Sequence, residues 1–178
     1  MHVVIDPGHG GKDPGAIGLN LQEKNVVLHL AFCLKMELEK FGHTAYLTRY
    51  RDEYVQFAQR VGIANKEQAD LFISLHCNGY HKAISNGIEV YHFPGSVKGT
   101  LLAEAIQKQL VTATGLRDRG SKGKAFYVLR HTAMPAALVE LGFITNPTEE
   151  KLLDKVSFLV ESAKAITKGT KEYENRRN

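Results

Sequence analysis

Cysteine is nearly missing from this chain. Cys33 and Cys77 are the two in 178 residues, far apart in sequence. Two thiols cannot make a disulfide framework, so the fold must be held by an ordinary apolar core. Cys33 lies in an apolar helix pattern and is expected to be a buried free thiol. Long hydrophobic runs are also missing, which excludes a bilayer-spanning helix. No secretory signal is visible, because a strand pattern begins almost at the first residue. The glycine loop after that strand lacks the dinucleotide spacing G-x-G-x-x-G. It also lacks G-x-x-x-x-G-K-[ST], since Lys12 is followed by Asp13. No zinc-finger spacing or RNA-recognition signature occurs, and no aromatics are interleaved with basic residues, so nucleic acid is not an expected partner. The net charge of +4 is a mild excess that suits a polyanionic partner such as a cell wall.

What the chain does have is strands alternating with helices. Strand patterns occur at 2–6, 43–48, 70–76, 88–92, 126–129 and 137–141. Helical spacing of apolar residues runs over 23–41, 53–68 and 98–114. The second of these should turn Phe57, Ala58, Val61 and Ala64 inward. Residues 115–124 form a basic loop. A last helix should start with Asn146 as N-cap, Pro147 at N1 and Glu149 closing a capping box. Its apolar face should reach Ile166. The division expected is one domain over 1–170 and a charged, frayed tail over 171–178. This order predicts an α/β class fold: a single three-layer sandwich with a twisted, largely parallel sheet.

Chemistry concentrates at strand ends. Val3-Val4-Ile5-Asp6-Pro7-Gly8-His9-Gly10-Gly11 is a β-branched run that stops at a glycine-rich turn bearing one histidine. His76 ends the third strand, Glu140 falls near the end of the last, and Glu23 opens the first helix. In open α/β sheets ligands bind at the carboxyl ends of strands, where these four groups gather. Two histidines and a carboxylate suit a catalytic zinc with one open position, and a further carboxylate could move a proton. Each residue also has a plainer role: a structural histidine, a helix-dipole carboxylate at Glu23, a salt-bridged Glu140, a phosphate loop or a simple turn at 8–11.

The motifs Ile5–Gly11, Glu23-Lys24-Asn25, Ser74-Leu75-His76-Cys77-Asn78, Phe126–Arg130 and Met134–Asn146 together resemble the zinc-dependent N-acetylmuramoyl-L-alanine amidases of amidase-3 type. The likeness covers nearly the whole chain. It implies a six-stranded sheet flanked by helices. It also implies one Zn²⁺ held by His9, Glu23 and His76, with Glu140 as the catalytic carboxylate that handles the protons. The bond implied is the amide between the muramoyl lactyl group and L-alanine in peptidoglycan. Some periplasmic members carry a helix over the zinc; no insertion long enough stands here. Cys77 occupies a place where alanine precedes asparagine in the family, and is expected to pack. Asp6 is expected to accept the second N–H of His9. Arg60, Asn78 and Arg119 are expected either to touch substrate or to lie on solvated surfaces. A monomer is expected, working outside the cell or in the wall, or in the cytoplasm of a lysing mother cell. The rival readings are another zinc amide hydrolase, such as a peptidase or deacetylase, and a non-catalytic wall-binding module.

Overall fold

A computed structural model describes residues 1–177. In chain order the elements are β1 (His2–Pro7), α1 (Glu23–Lys40), β2 (Thr44–Leu47), α2 (Phe57–Lys66), β3 (Leu71–Asn78) and β4 (Ile88–His92). They continue with α3 (Val97–Thr114), β5 (Asp118–Gly123), α4 (Tyr127–His131), β6 (Ala136–Phe143), α5 (Pro147–Leu153) and α6 (Val156–Arg177). The six strands form one sheet in the order β2-β1-β3-β6-β4-β5. Every neighbouring pair is parallel except β4 with β6. No helix among the described residues is long and apolar enough to cross a membrane.

Strand alternation divides the sheet into two unlike faces. Val3 and Ile5, then Leu71, Ile73, Leu75 and Cys77, then Ala137, Val139 and Leu141 point to one face. That face is apolar along its length and is covered by α1 and α3, with α6 packed against both helices. The opposite face carries Val4, Phe72, Ala136 and Leu138 at one end, packed under Val61 and Ala64 of α2 and Val128 and Leu129 of α4. By the same alternation, Asp6, Ser74, His76 and Glu140 continue this second face beyond the two short helices. The apolar rows thus give way to polar ones where helical cover ends.

Four expectations are corrected here. Residues 126–129 are not a strand. Val128 and Leu129 are adjacent, yet both enter the same core cluster, which α4 permits and an alternating strand does not. Residues 118–123 are not a free loop; they pair along β4 as an edge strand whose polar sequence hid it. The helix expected over 53–68 starts only at Phe57, and Phe57 and Ala58 are exposed. Cys33 is half-buried.

The charged tail is also ordered. Helix α6 runs through Arg177, and Thr167, Thr170 and Tyr173 are buried at intervals of three residues. The threonine hydroxyls donate to the carbonyls of Ala163 and Ile166, so they can enter the core. At Gly169 a Cβ would come within 2.6 Å of Ile106 Cα, so glycine lets α6 press against α3. Residue 178 lies outside the described residues. Asn146 caps α5 by accepting from the N–H groups of Thr148 and Glu149. Glu149 does not complete a capping box; its carboxylate accepts from the N–H groups of Gly87 and Phe143.

Candidate metal centre

The glycine loop is held from beneath by two buried arginines. Arg49 Nε donates to Pro7 O (3.0 Å) and Nη2 to Gly8 O (2.8 Å). Arg60 Nη1 donates to Pro7 O and Nη2 to His9 O, each at 2.6 Å. Three consecutive carbonyls are therefore fixed by guanidinium groups. They hold His9 at φ 59°, a left-handed conformation uncommon for a bulky residue. Asp6 balances this charge with Oδ1 2.7 Å from Arg60 Nη1, and accepts from Thr48 and Ser74. Burial pushes its carboxyl up, but the Arg60 charge and the three donors outweigh this and hold it below the usual range.

Two expectations fall with this arrangement. Asp6 does not support His9, because its oxygens are taken up by Arg60, Thr48 and Ser74. Arg60 does not lie on a solvated helix face: it is 2% exposed, donates to Asp6, Val55 O and the loop carbonyls, and borders the metal cavity. Arg49 had no distinguishing signal in the sequence except its place after β2, one residue past Thr48.

On the loop so fixed, His9 meets Glu23 and His76. Glu23 Oε1 lies 3.0 Å from His9 Nε2 and 2.9 Å from His76 Nδ1, and the two ring nitrogens are 3.2 Å apart. The three donor atoms form one small triangle able to hold a metal ion. Neighbouring ligands around a tetrahedral ion with bonds near 2 Å stand about 3.3 Å apart, so the edges fit with slight contraction. A two-nitrogen, one-oxygen set suits a borderline ion rather than Mg²⁺ or Ca²⁺.

The surroundings orient each donor. His9 Nδ1 is 2.9 Å from Asp13 Oδ2, so Asp13 takes the N–H and leaves the Nε2 lone pair facing Glu23. Burial alone would lower the His9 pKa, but Glu23 and Asp13 overcome it and the net shift is upward. Glu23 Oε2 accepts from the Ala16 N–H, and Oε1 accepts also from the Cys77 N–H. Burial opposes ionisation of Glu23, yet the two histidines drive its carboxyl far below the usual range. Two glycines leave the space: a Cβ on Gly8 would lie 2.3 Å from the His76 ring, and one on Gly15 would lie 2.5 Å from Glu23 Oε2. The Cys77 side chain points to the opposite, apolar face and is buried there, as expected of a packing residue.

Glu140 stands apart from the triangle. It is level with His76 on β3 and with Glu89 on antiparallel β4. Its Oε2 is buried with no hydrogen-bond partner among the described residues. Burial first, then the charges of Glu23 and Glu89, push its carboxyl well above the usual range. Glu89 is itself paired with Lys122 and Arg119 and accepts from Asn78 Nδ2 (2.7 Å). Arg119 is thus turned to Glu89, with its guanidinium 4.9 Å from the Phe143 ring, and does not line the site. Asn78 does line it. The cavity, about 430 Å³, is bounded by His9, Glu23, His76, Glu140, Phe57 and Tyr127 among others.

A largely parallel α/β sheet with a His–Glu–His donor triangle and a desolvated carboxylate beside it defines the class: an α/β metallohydrolase. A family model described as N-acetylmuramoyl-L-alanine amidase matches residues 3–172, and the chain belongs to this family. It is 40% identical over 173 residues to the N-acetylmuramoyl-L-alanine amidase LytC of Bacillus subtilis, covering 96% of this chain and 35% of LytC. The sporulation-specific N-acetylmuramoyl-L-alanine amidase of the same organism is 38% identical, with 97% of this chain and 68% of that protein covered. The structure of the amidase AmiC2 of Nostoc punctiforme superposes with a TM-score of 0.94 at 38% identity, covering 99% of this chain and 98% of that one. The chain therefore spans about a third of LytC and nearly all of the AmiC2 chain.

Proposed function

We propose that this chain is a zinc-dependent N-acetylmuramoyl-L-alanine amidase, hydrolysing the amide between the muramoyl lactyl group and the first L-alanine of peptidoglycan stem peptides. The observation that carries this reading is the juxtaposition of the His9–Glu23–His76 triangle with the unpartnered Glu140 oxygen in one open cavity. His9 Nε2, Glu23 Oε1 and His76 Nδ1 would hold one zinc ion, which supplies Lewis acidity toward water and the scissile carbonyl. Glu140 takes the proton from the attacking water. It then returns a proton to the alanine nitrogen, a poor leaving group until protonated. Its desolvated setting suits a carboxylate that must both accept and release a proton. Asp13 keeps His9 in the tautomer that leaves Nε2 unprotonated. The enzyme acts as a monomer on the cell wall, outside the cell or in a lysing mother cell.

The test is a digest of purified peptidoglycan followed by mass spectrometry. Stem peptides with a free L-alanine amino group should appear, leaving muramic acid with a free lactyl carboxylate. Metal analysis should give one zinc per chain, and chelation should abolish release until zinc is returned. Cleavage within the stem peptide, or loss of the N-acetyl group, would indicate a peptidase or a deacetylase instead.

A further inference from the structure

Two exposed aromatic rings stand on the rim of the metal cavity without a part in the core. Phe57 is the first residue of α2 and is 61% exposed; Tyr127 is the first residue of α4 and is 45% exposed. Their centroids are 6.1 Å apart and the rings are inclined by 32°. Core packing of these helices is carried by Val61 and Ala64 and by Val128 and Leu129. Tyr127 is backed by His131, whose ring lies 4.4 Å away. Lone exposed apolar residues are ordinary, but two rings from separate elements meeting at the mouth of one cavity form a surface.

The chemistry of that surface is specific. Nearby Phe126 and Tyr91 are covered by Lys124, with its Nζ 4.6 Å and 5.3 Å from their centroids. No cation among the described residues sits over Phe57 or Tyr127. Rings left open in this way suit a neutral ligand with one apolar face. The substrate has two unlike halves. Its stem peptide is anionic, while the pyranose ring is neutral and presents C–H faces with its polar groups at the edge. We infer that Phe57 and Tyr127 form a platform for the sugar ring of the N-acetylmuramoyl half, laying the glycan along the α2–α4 side of the cavity. This rests on the amidase reading for the identity of the sugar.

The experiment uses the full, zinc-loaded chain and two substrates: an N-acetylmuramoyl peptide and its sugar-free D-lactyl counterpart. Phe57→Ala and Tyr127→Ala should each raise KM for the first by about threefold to tenfold, with kcat held, as expected for one lost ring contact. KM for the sugar-free substrate should stay unchanged. Equal effects on both substrates, or none on either, would overturn the platform. A second readout does not need turnover. The chain has no tryptophan, so Phe57→Trp places a sole indole on the rim. Its emission should respond saturably to a peptide-free N-acetylglucosaminyl–N-acetylmuramic acid disaccharide whose lactyl carboxyl is capped as the methyl ester to keep it neutral, and adding Tyr127→Ala should weaken the response. A response to free stem peptide but not to the disaccharide would overturn the inference. Normal amide hydrolysis with no disaccharide response defeats the platform alone. A saturable disaccharide response in a protein that cleaves no muramoyl–alanine bond supports the platform and defeats the amidase reading.

Discussion

Replacing Arg60 with methionine should unfold the support beneath the glycine loop. The change keeps most of the buried volume but removes the charge beside Asp6, which is 1% exposed. It also removes the donors to Pro7 O, His9 O and Val55 O, of which Pro7 O retains Arg49. Breaking one side of a buried ion pair costs about 3–5 kcal/mol. For a domain of this size each kcal/mol lowers Tm by about 2–4 °C, so the melting point should fall by roughly 6–20 °C. The assay is thermal denaturation followed by circular dichroism on chelator-treated protein, because bound metal would add its own stabilisation. The loss should depend on pH. In the parent chain the Asp6 carboxyl is held below its ordinary value, so its contribution is complete above that value and lost only as pH falls through the folded pKa. In Arg60→Met burial is no longer opposed by a charge. The carboxyl then rises and takes up a proton on acidification, so the gap between variant and parent should narrow from pH 7 to pH 5. Adding Asp6→Asn should recover part of the loss. A drop below 3 °C, or a large drop indifferent to both pH and Asp6→Asn, would refute this account.

Further outcomes follow from other contacts. Glu140→Gln should keep its zinc but lose about 10²- to 10⁴-fold in turnover of stem-peptide release. Its carboxyl is raised by burial and by Glu23 and Glu89, so the charged form is costly at neutral pH. The variant should therefore melt higher than the parent in chelator, and a lower Tm would count against the raised pKa. Asp13→Ala should weaken zinc affinity about 10- to 100-fold in competition with a chromophoric chelator, and a change within twofold would mean that His9 needs no support. Tyr173→Ala should cost about 3–5 kcal/mol, as for other buried aromatic truncations. A melting curve unchanged in urea or heat would mean that the end of α6 is not docked.

The four groups that converge were legible because strand ends are. A β-branched run broken by Asp-Pro-Gly, and a second ended by histidine, fix where two side chains stand on a parallel sheet. Glu140 stood out as a carboxylate inside an apolar strand. The supporting shell was not legible. Asp13 lies four residues past His9 in a loop whose path depends on Gly10 and Gly15. Arg49 and Arg60 act through backbone carbonyls, which leave no sequence pattern. A ligating histidine calls for an acceptor for its other N–H, and Asp6 is an acidic candidate in the same segment, yet the fold brings Arg60 to Asp6 from 54 residues away. Phe126–Leu129 reads as a strand in sequence because a four-residue apolar run has too few residues to show its period. The last turns of α6 carry no core pattern in sequence because their buried face is threonine and tyrosine rather than aliphatic.

The unlike faces of the sheet constrain how such a gene can change. Along β3 and β6 each chemical group sits one residue away from a core residue: His76 beside Leu75 and Cys77, Glu140 beside Val139 and Leu141. Loss or gain of a single codon inside either strand would exchange the two sets, sending histidine or glutamate under α1 and α3 and leucine or valine into the cavity. Substitutions change one face at a time, whereas a length change within these strands should disrupt core and site together. Variation in length is better borne by the connecting segments, such as 79–87, which begins with Gly79 at the cavity wall and leaves the strand registers of the reacting groups in place.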